Sequence, residues 1–325
     1  MTNLSTLAVG GVPVLPGSAA VMAMRKVYFV DGTFGSDGYR GLSAERPFST
    51  VQKALNTVKD HDTILVMNGS YDEALTTGQQ AKVAVSSVTA GRGRYVNLIG
   101  VRPTAMPYDS PQLYNVSGST ATIRMRSPGW RVSGFRLVAD SGSPICMTLE
   151  LDQAGSTADT DWAPGTTVDH CVFYGAVGSC DGIDFQGAPP DCRVDSNIFE
   201  LFSGTNGCIK SSVSGTAQAY RCTISNNDFI DNVNAIDMNP RGFNGSVIKG
   251  NTFANGHTNT MLVGFDNTGG NDNMVFMNAL GSSGAADYGN AFYIAGTGDM
   301  WIGNATEDSG ATNTTGAWTH GDPAT

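Results

Sequence analysis

Apolar residues in the second half of the chain follow no helical period; they recur as short clusters at nearly fixed distances. One cluster has the form apolar-x-x-Asn-x-apolar, as in Val194-Asp195-Ser196-Asn197-Ile198-Phe199. It returns around Asn227, Asn251 and Asn278, and fades around Asn304, with steps of 24 to 30 residues. Val168 to Phe173 is the same unit with Cys171 in the asparagine place, Val132 to Leu137 is a looser copy, and Val96 to Gly100 is the earliest member. A second cluster, centred on Ile183, Ile209, Ile236, Leu262 and Phe292, is interleaved with the first. Each repeat therefore predicts at least two short strands separated by polar turns, none long enough to fold alone. The period excludes a helical solenoid, and the four-stranded blades of a propeller run longer. What remains is a coil that winds once per repeat and stacks each strand on its copy, a parallel β-helix of about eight or nine coils. The asparagine column then marks a bend: Asn tolerates left-handed φ/ψ, and stacked side-chain amides hydrogen-bond along the column.

The front of the chain has a different pattern. Val27-Tyr28-Phe29-Val30 reads as a strand and is followed by a loop with Asp31, Gly32, Gly35, Asp37 and Gly38. Pro47 with apolar Phe48, Val51, Ala54 and Leu55 predicts a short amphipathic helix over 47–57. Residues 62–71 form a strand ending in a turn. This opening resembles that of the pectate-lyase-like right-handed β-helix superfamily, in which a strand, a Gly/Asp loop and a Pro-Phe-x-Thr-x-x-x-Ala helix cap the first coil. The resemblance covers residues 27–73 and, as repeats, 96–306. It implies an all-β, single-stranded, right-handed parallel β-helix with an N-terminal strand and a capping α-helix. Activity is poorly implied, because the superfamily includes lyases, hydrolases, epimerases and viral spike or scaffold proteins without chemistry. The expected division is an extended docking arm over 1–24, the cap over 25–62, the β-helix over 63–306 and a polar tail over 307–325.

Composition narrows the partners. The chain has 325 residues with 41 Gly, 15% charged residues and a formal net charge of −10. Phosphate binding needs a basic stripe, so neither nucleic acid nor an anionic membrane surface is an expected partner. No stretch approaches the roughly 20 apolar residues of a membrane span. No Lys or Arg precedes Arg25, and Gly10, Gly11, Pro13, Pro16 and Gly17 interrupt the apolar run, so no secretory signal is expected. The six cysteines form no C-x-x-C pair. Free buried thiols are expected, with Cys192 and Cys222 as neighbours on adjacent coils. No cofactor is expected.

Chemistry has several candidate places. If Ile183, Ile209 and Ile236 point inward, Asp184, Lys210 and Asp237 stack outward on successive coils. Such a ladder could be an acid/base pair tuned by the ammonium, or an alternating surface ladder that relieves like-charge stacking. Asp169 and Asp195 form a second outward pair, beside Ser225 and Lys249, with the same two readings and a possible ligand-binding role. Asp31 and Asp37 could hold Ca²⁺ or could serve as turn residues. The four histidines lie in no ligand spacing, and the Gly-x-Ser-x-Gly elbow and the phosphate-binding Gly-Lys-Ser loop are absent. Enzymes that the fold resembles use Asn-Thr-Asp or Gly-His-Gly strings, which are absent too, so no catalytic residue carries over from the resemblance. Asn197, Asn227, Asn251, Asn278 and Asn304 are read as structural.

Three functions compete. The first is a structural virion protein of a bacteriophage, a capsid decoration, head spike or tail-associated protein assembled in the host cytoplasm. It is expected as a homotrimer that docks on a capsid or tail protein through residues 1–24. The second is a polysaccharide lyase or glycoside hydrolase acting as a tail-spike depolymerase. The third is a module that binds a surface glycan through outward aromatics such as Tyr174, Tyr220 and Phe276.

Overall fold

The structure is a computed structural model. It describes residues 26–73, 93–114, 121–139, 145–150, 163–175, 180–186, 189–202, 207–211, 219–238, 243–254, 272–281 and 300–303. It also describes the short strands Ala8–Val9, Val12–Pro13, Leu75–Thr76, Val263–Gly264, Phe292–Tyr293 and Ala305–Glu307.

Three long parallel sheets wind around one core. The first has ten strands, from Val27–Val30 at one edge to Met300–Ile302 at the other; the second has nine, from Ser70–Asp72 to Ala305–Glu307; the third has eight, from Leu75–Thr76 to Phe292–Tyr293. Successive coils add one strand to each sheet in turn, so the chain is a right-handed parallel β-helix. The register repeats the sequence columns. Val132, Val168, Val194, Ile224, Ile248 and Val275 are partners in the first sheet, and Ile183, Ile209 and Ile236 in the third. Inside the second sheet Phe173, Phe199, Phe229 and Phe253 stack with ring centroids 4.6, 4.9 and 4.9 Å apart. Each such buried ring contributes roughly 1.5–3 kcal/mol by leaving water.

The bends explain the asparagines, with one correction. The left-handed residue is the one before the asparagine: Gly134, His170, Ser196, Asn226, Gly250, Met277 and Gly303 have φ between 53° and 81°. At Gly134 a Cβ would also lie 2.7 Å from the Gly100 carbonyl oxygen. Asn197, Asn227, Asn251 and Asn278 stack in the same bend, all buried, but their task is hydrogen bonding rather than backbone torsion. Each donates Nδ2 to a carbonyl of the preceding coil and accepts on Oδ1 the N–H of the residue in its own place there. Asn304 lies outside the described residues.

A second bend, ahead of the first sheet, repeats the device with other residues. Asp191, Arg221, Gly245 and Asp272 are left-handed, and Cys192, Cys222, Ser246 and Asn273 follow them into the interior. Cys222 donates its N–H to Ser246 Oγ, and Ser246 donates its own to Asn273 Oδ1, both at 2.9 Å. Cys192 and Cys222 are therefore neighbours on adjacent coils, and all six cysteines are buried and free.

At the N-terminal end the helix α1 spans Val51–Thr57, shorter than the 47–57 expected. Phe48 is held in extended form because its N–H donates to the Phe29 carbonyl and its own carbonyl accepts from Asp31. Val51, Ala54 and Leu55 turn into the core. Glu73 accepts the N–H groups of Val51 and Gln52 on its two oxygens, at 2.8 and 2.9 Å. These bonds satisfy two of the donors that a helix start leaves open. In the arm, Ala8–Val9 pairs antiparallel with Val12–Pro13; the rest of residues 1–24 and residues 308–325 lie outside the described residues. Among the described residues, no helix is long and apolar enough to cross a membrane.

Candidate functional site

The third sheet forms the ladder read from the sequence. Thr148, Asp184, Lys210 and Asp237 are successive partners, and because Ile183 and Phe185 belong to the core, Asp184 points to the opposite face. Its members are already engaged. Lys210 Nζ pairs with Asp181 Oδ2 at 2.5 Å, and Asp184, only 1% exposed, accepts from Gln186 Nε2 at 2.8 Å. On the preceding coil Glu150 accepts from Arg124, Arg126 and Thr148 at 2.5–3.1 Å. Burial pushes the Glu150 carboxyl up, but these hydrogen bonds and the two guanidinium charges outweigh it and hold the group below the usual range. A general acid needs the opposite shift.

The first sheet carries Asp169 and Asp195 as direct partners. Asp169 receives Arg131 through Nε and Nη2 at 2.7 and 3.2 Å, with His170 Nδ1 at 3.3 Å. Asp195 receives Ser225, Asn226 and Arg193 at 2.5, 3.0 and 3.2 Å. Burial raises Asp195, and the bonds from Ser225 and Asn226 with the Arg193 charge bring it below the usual range.

Asp31 and Asp37 are used locally. Asp31 Oδ1 accepts the N–H groups of Thr33 and Phe34, and Asp37 accepts those of Ser49 and Thr50 as well as the Thr50 hydroxyl. Among the described residues no group of three or more His, Cys, Asp or Glu side chains is placed to hold a metal ion. The three aromatics also separate. Tyr174 faces outward on the second sheet, Phe276 on the first under Lys249, and Tyr220 sits in the two-stranded ribbon Ala219–Tyr220/Phe243–Asn244 under Arg221. They do not share a face.

One arrangement was not read from the sequence. Most bends between the first and second sheets hold two residues, but in the coil of Asn97–Gly100 the connection runs from 101 to 111 before Gln112–Tyr114. This long loop, with a short 3₁₀ turn at Pro107–Asp109, lies across later coils. Arg102 Nη2 donates to the His170 carbonyl, and the Tyr108 hydroxyl donates to Glu200 Oε2 at 3.0 Å, across 92 residues of sequence. Arg136 and Tyr174 stand on the outer face of the coils between. The Arg136 guanidinium carbon lies 5.0 Å from the Tyr174 ring centroid, and its Nη1 is 3.5 Å from Gln112 Oε1. Its buried Nε has no acceptor. Tyr108 remains 47% exposed; partial burial, then the bond to Glu200 and that residue's charge, push its hydroxyl up, while Arg136 pulls it down. The clue available in the sequence was the length of this one turn, with Pro107 and Tyr108 inside it.

The fold defines the class: a right-handed parallel β-helix with a mixed aromatic and ionic face on its second sheet. No family model matches the chain, and no curated protein matches it. Similar solved structures include an alginate lyase from Paenibacillus sp. str. FPU-7, 13% identical, with TM-score 0.43, covering 80% of this chain and 85% of that one. A pectin methylesterase from Aspergillus niger is 12% identical with TM-score 0.43, covering 89% and 93%. The pectate lyase Pel9A is 12% identical with TM-score 0.38, covering 84% and 80%. At these values the likenesses bear on neither activity nor substrate.

Proposed function

We propose that this chain is a carbohydrate-recognising β-helix that takes up a glycan on the outer face of its second sheet, by binding rather than by turnover. The observation that carries this reading is the exposed Tyr108, tied to Glu200 beside Arg136 and Tyr174. Rings that offer an apolar body and a polar tip, next to a few fixed donors and acceptors, suit a ligand whose faces are apolar and whose edges are hydroxyls. Binding without turnover is supported by the outward carboxylates of the other two sheets, which are occupied by arginine, lysine, serine and amide partners. The test is affinity electrophoresis of the full chain in gels cast with a panel of neutral and acidic polysaccharides. Retardation by at least one polymer is expected, and Tyr108→Ala or Tyr174→Ala weakens it about tenfold without lowering the melting temperature. Retardation by none, or identical retardation of both variants, removes the reading. New reducing ends or unsaturated products that accumulate with enzyme concentration would replace it by the lyase or hydrolase reading.

A second reading, as a bacteriophage decoration or tail-associated protein, is favoured by the arm. Among the described residues, Ala8–Val9 and Val12–Pro13 pair with each other and with no strand of the three long sheets. Under this reading the chain is a homotrimer whose arms clamp a capsid or tail protein. Deleting residues 1–24 then abolishes incorporation into particles, and light scattering of the full chain gives three times the chain mass. A monomer, or unchanged incorporation, removes it.

A further inference from the structure

We infer that the sugar unit seated on Arg136 carries an oxyanion, and that the glycan around it is otherwise neutral. This rests on the glycan reading above and specifies its ligand. The other arginines on or next to the sheet strands are paired with a carboxylate: Arg124 and Arg126 share Glu150, Arg131 pairs with Asp169 and Arg193 with Asp195. Among the described residues of the second-sheet face, Arg136 has no such partner. Glu200, on the same face, already takes the Tyr108 hydroxyl.

The guanidinium has five N–H donors in a planar fork and stays charged at any physiological pH. Here its neighbours are a ring face at 5.0 Å and an amide oxygen at 3.5 Å, the outer limit of a hydrogen bond. Nε lies buried with no acceptor at all. Turning the fork toward an incoming oxyanion therefore breaks no good hydrogen bond, and it supplies the counter-charge that the other sheet arginines already possess. Stacking on Tyr174 fixes the plane of the fork without consuming its donors.

The charge of the whole chain limits how acidic the ligand is. With a formal net charge of −10, and with Glu200 and Asp228 on the same face, a densely charged polyanion is repelled over the Debye length. A single oxyanion against Arg136 is not, because the contact is short-ranged. The chemistry is that of a sparsely substituted acidic glycan, whether the oxyanion is a uronate carboxylate or a sulfate ester.

The experiment compares three soluble polymers with the full chain: a xylan bearing scattered glucuronate, the same xylan after carboxyl reduction, and a sparsely sulfated xylan. The glucuronate polymer is expected to bind about tenfold more tightly than its reduced product. Arg136→Gln removes that difference, and Arg136→Lys retains part of it. In ¹⁵N-labelled protein, the Arg136 Nε–Hε resonance shifts on adding free glucuronate and stays in place with glucose; this readout uses the native chain and does not depend on the variants folding. Equal binding of the sulfated polymer assigns the site to oxyanions in general, and its failure assigns it to carboxylates. Equal binding of the glucuronate and reduced polymers, with a static Nε resonance, overturns the inference while leaving glycan recognition intact. Binding of none of the three overturns it together with the reading on which it rests.

Discussion

Asn227 holds Asn197 of the preceding coil by two hydrogen bonds: its Oδ1 accepts the Asn197 backbone N–H at 2.9 Å and the Asn197 side-chain amide at 3.0 Å. Its own Nδ2 donates to the Val194 carbonyl at 3.0 Å. Asn251 does the same for Asn227, so the bend is a continuous chain of buried amides.

Asn227→Ala removes the acceptor of the Asn197 N–H and of one Asn197 amide hydrogen, and one donor to the Val194 carbonyl, all in the buried interior. The expected loss is at least about 2 kcal/mol in urea unfolding, given roughly 1–3 kcal/mol for each orphaned group. One position earlier the requirement is different. Asn226 is left-handed, so Asn226→Gly is tolerated and Asn226→Val costs about 1–2 kcal/mol. Equal effects of Val at 226 and Ala at 226 would show that torsion is not what position 226 supplies.

Phe199 lies between Phe173 and Phe229, stacked on both. Phe199→Ala opens a void that the parallel strands on either side cannot close. The expected loss is about 3–5 kcal/mol, and Phe199→Leu costs less. A loss below 1 kcal/mol would mean that the stack collapses freely.

Glu73 should matter to the cap alone. Glu73→Ala leaves the Val51 and Gln52 N–H groups without their acceptor and frays α1, at a cost of about 1–2 kcal/mol. Amide exchange at those two residues is the measurement: it quickens in the variant, while the N–H of Asn227 keeps its protection.

Acid is expected to weaken the fold through Glu150. The Glu150 carboxyl is held below its ordinary value of 4.5 in the folded chain. Its contribution is therefore fully present above pH 4.5 and is lost as the pH falls through the lower, folded-state value. Glu150→Gln is expected to be less stable than the wild type at pH 7, with the gap in melting temperature narrowing below pH 4.5. A gap that is constant with pH would remove the ionic role.

The thiols are expected to be silent. Burial pushes Cys171 up to about 12 and Cys146, Cys192 and Cys208 well above the ordinary thiol value. The native protein therefore reacts slowly with a thiol reagent at pH 8, and the denatured, unreduced chain titrates six groups. Four groups would place a bridge between two of the cysteines, with Cys192 and Cys222 the nearest pair by position.

The sequence by itself determined the repeat, a coil that winds once per repeat with at least two strands, and their register; the third sheet was decided by the structure. A parallel stack puts the same bend at the same place in every coil, so the residues that suit it recur at one period, as Asn197, Asn227, Asn251 and Asn278 do. The inward columns of Ile183, Ile209 and Ile236 were legible for the same reason, and so was the outward alignment of Asp184, Lys210 and Asp237. Which residue takes the left-handed torsion was not legible, because Ser196, Asn226, Gly250 and Met277 have no common chemistry; the backbone path imposes the torsion on whatever stands there. The face made by Tyr108, Arg136, Tyr174 and Glu200 belongs to the tertiary structure alone. Tyr174 and Glu200 are register partners on adjacent coils, but Tyr108 belongs to no repeat and reaches Glu200 because one long turn folds back across its neighbours. Such a contact depends on where the turn lands, which no local pattern records.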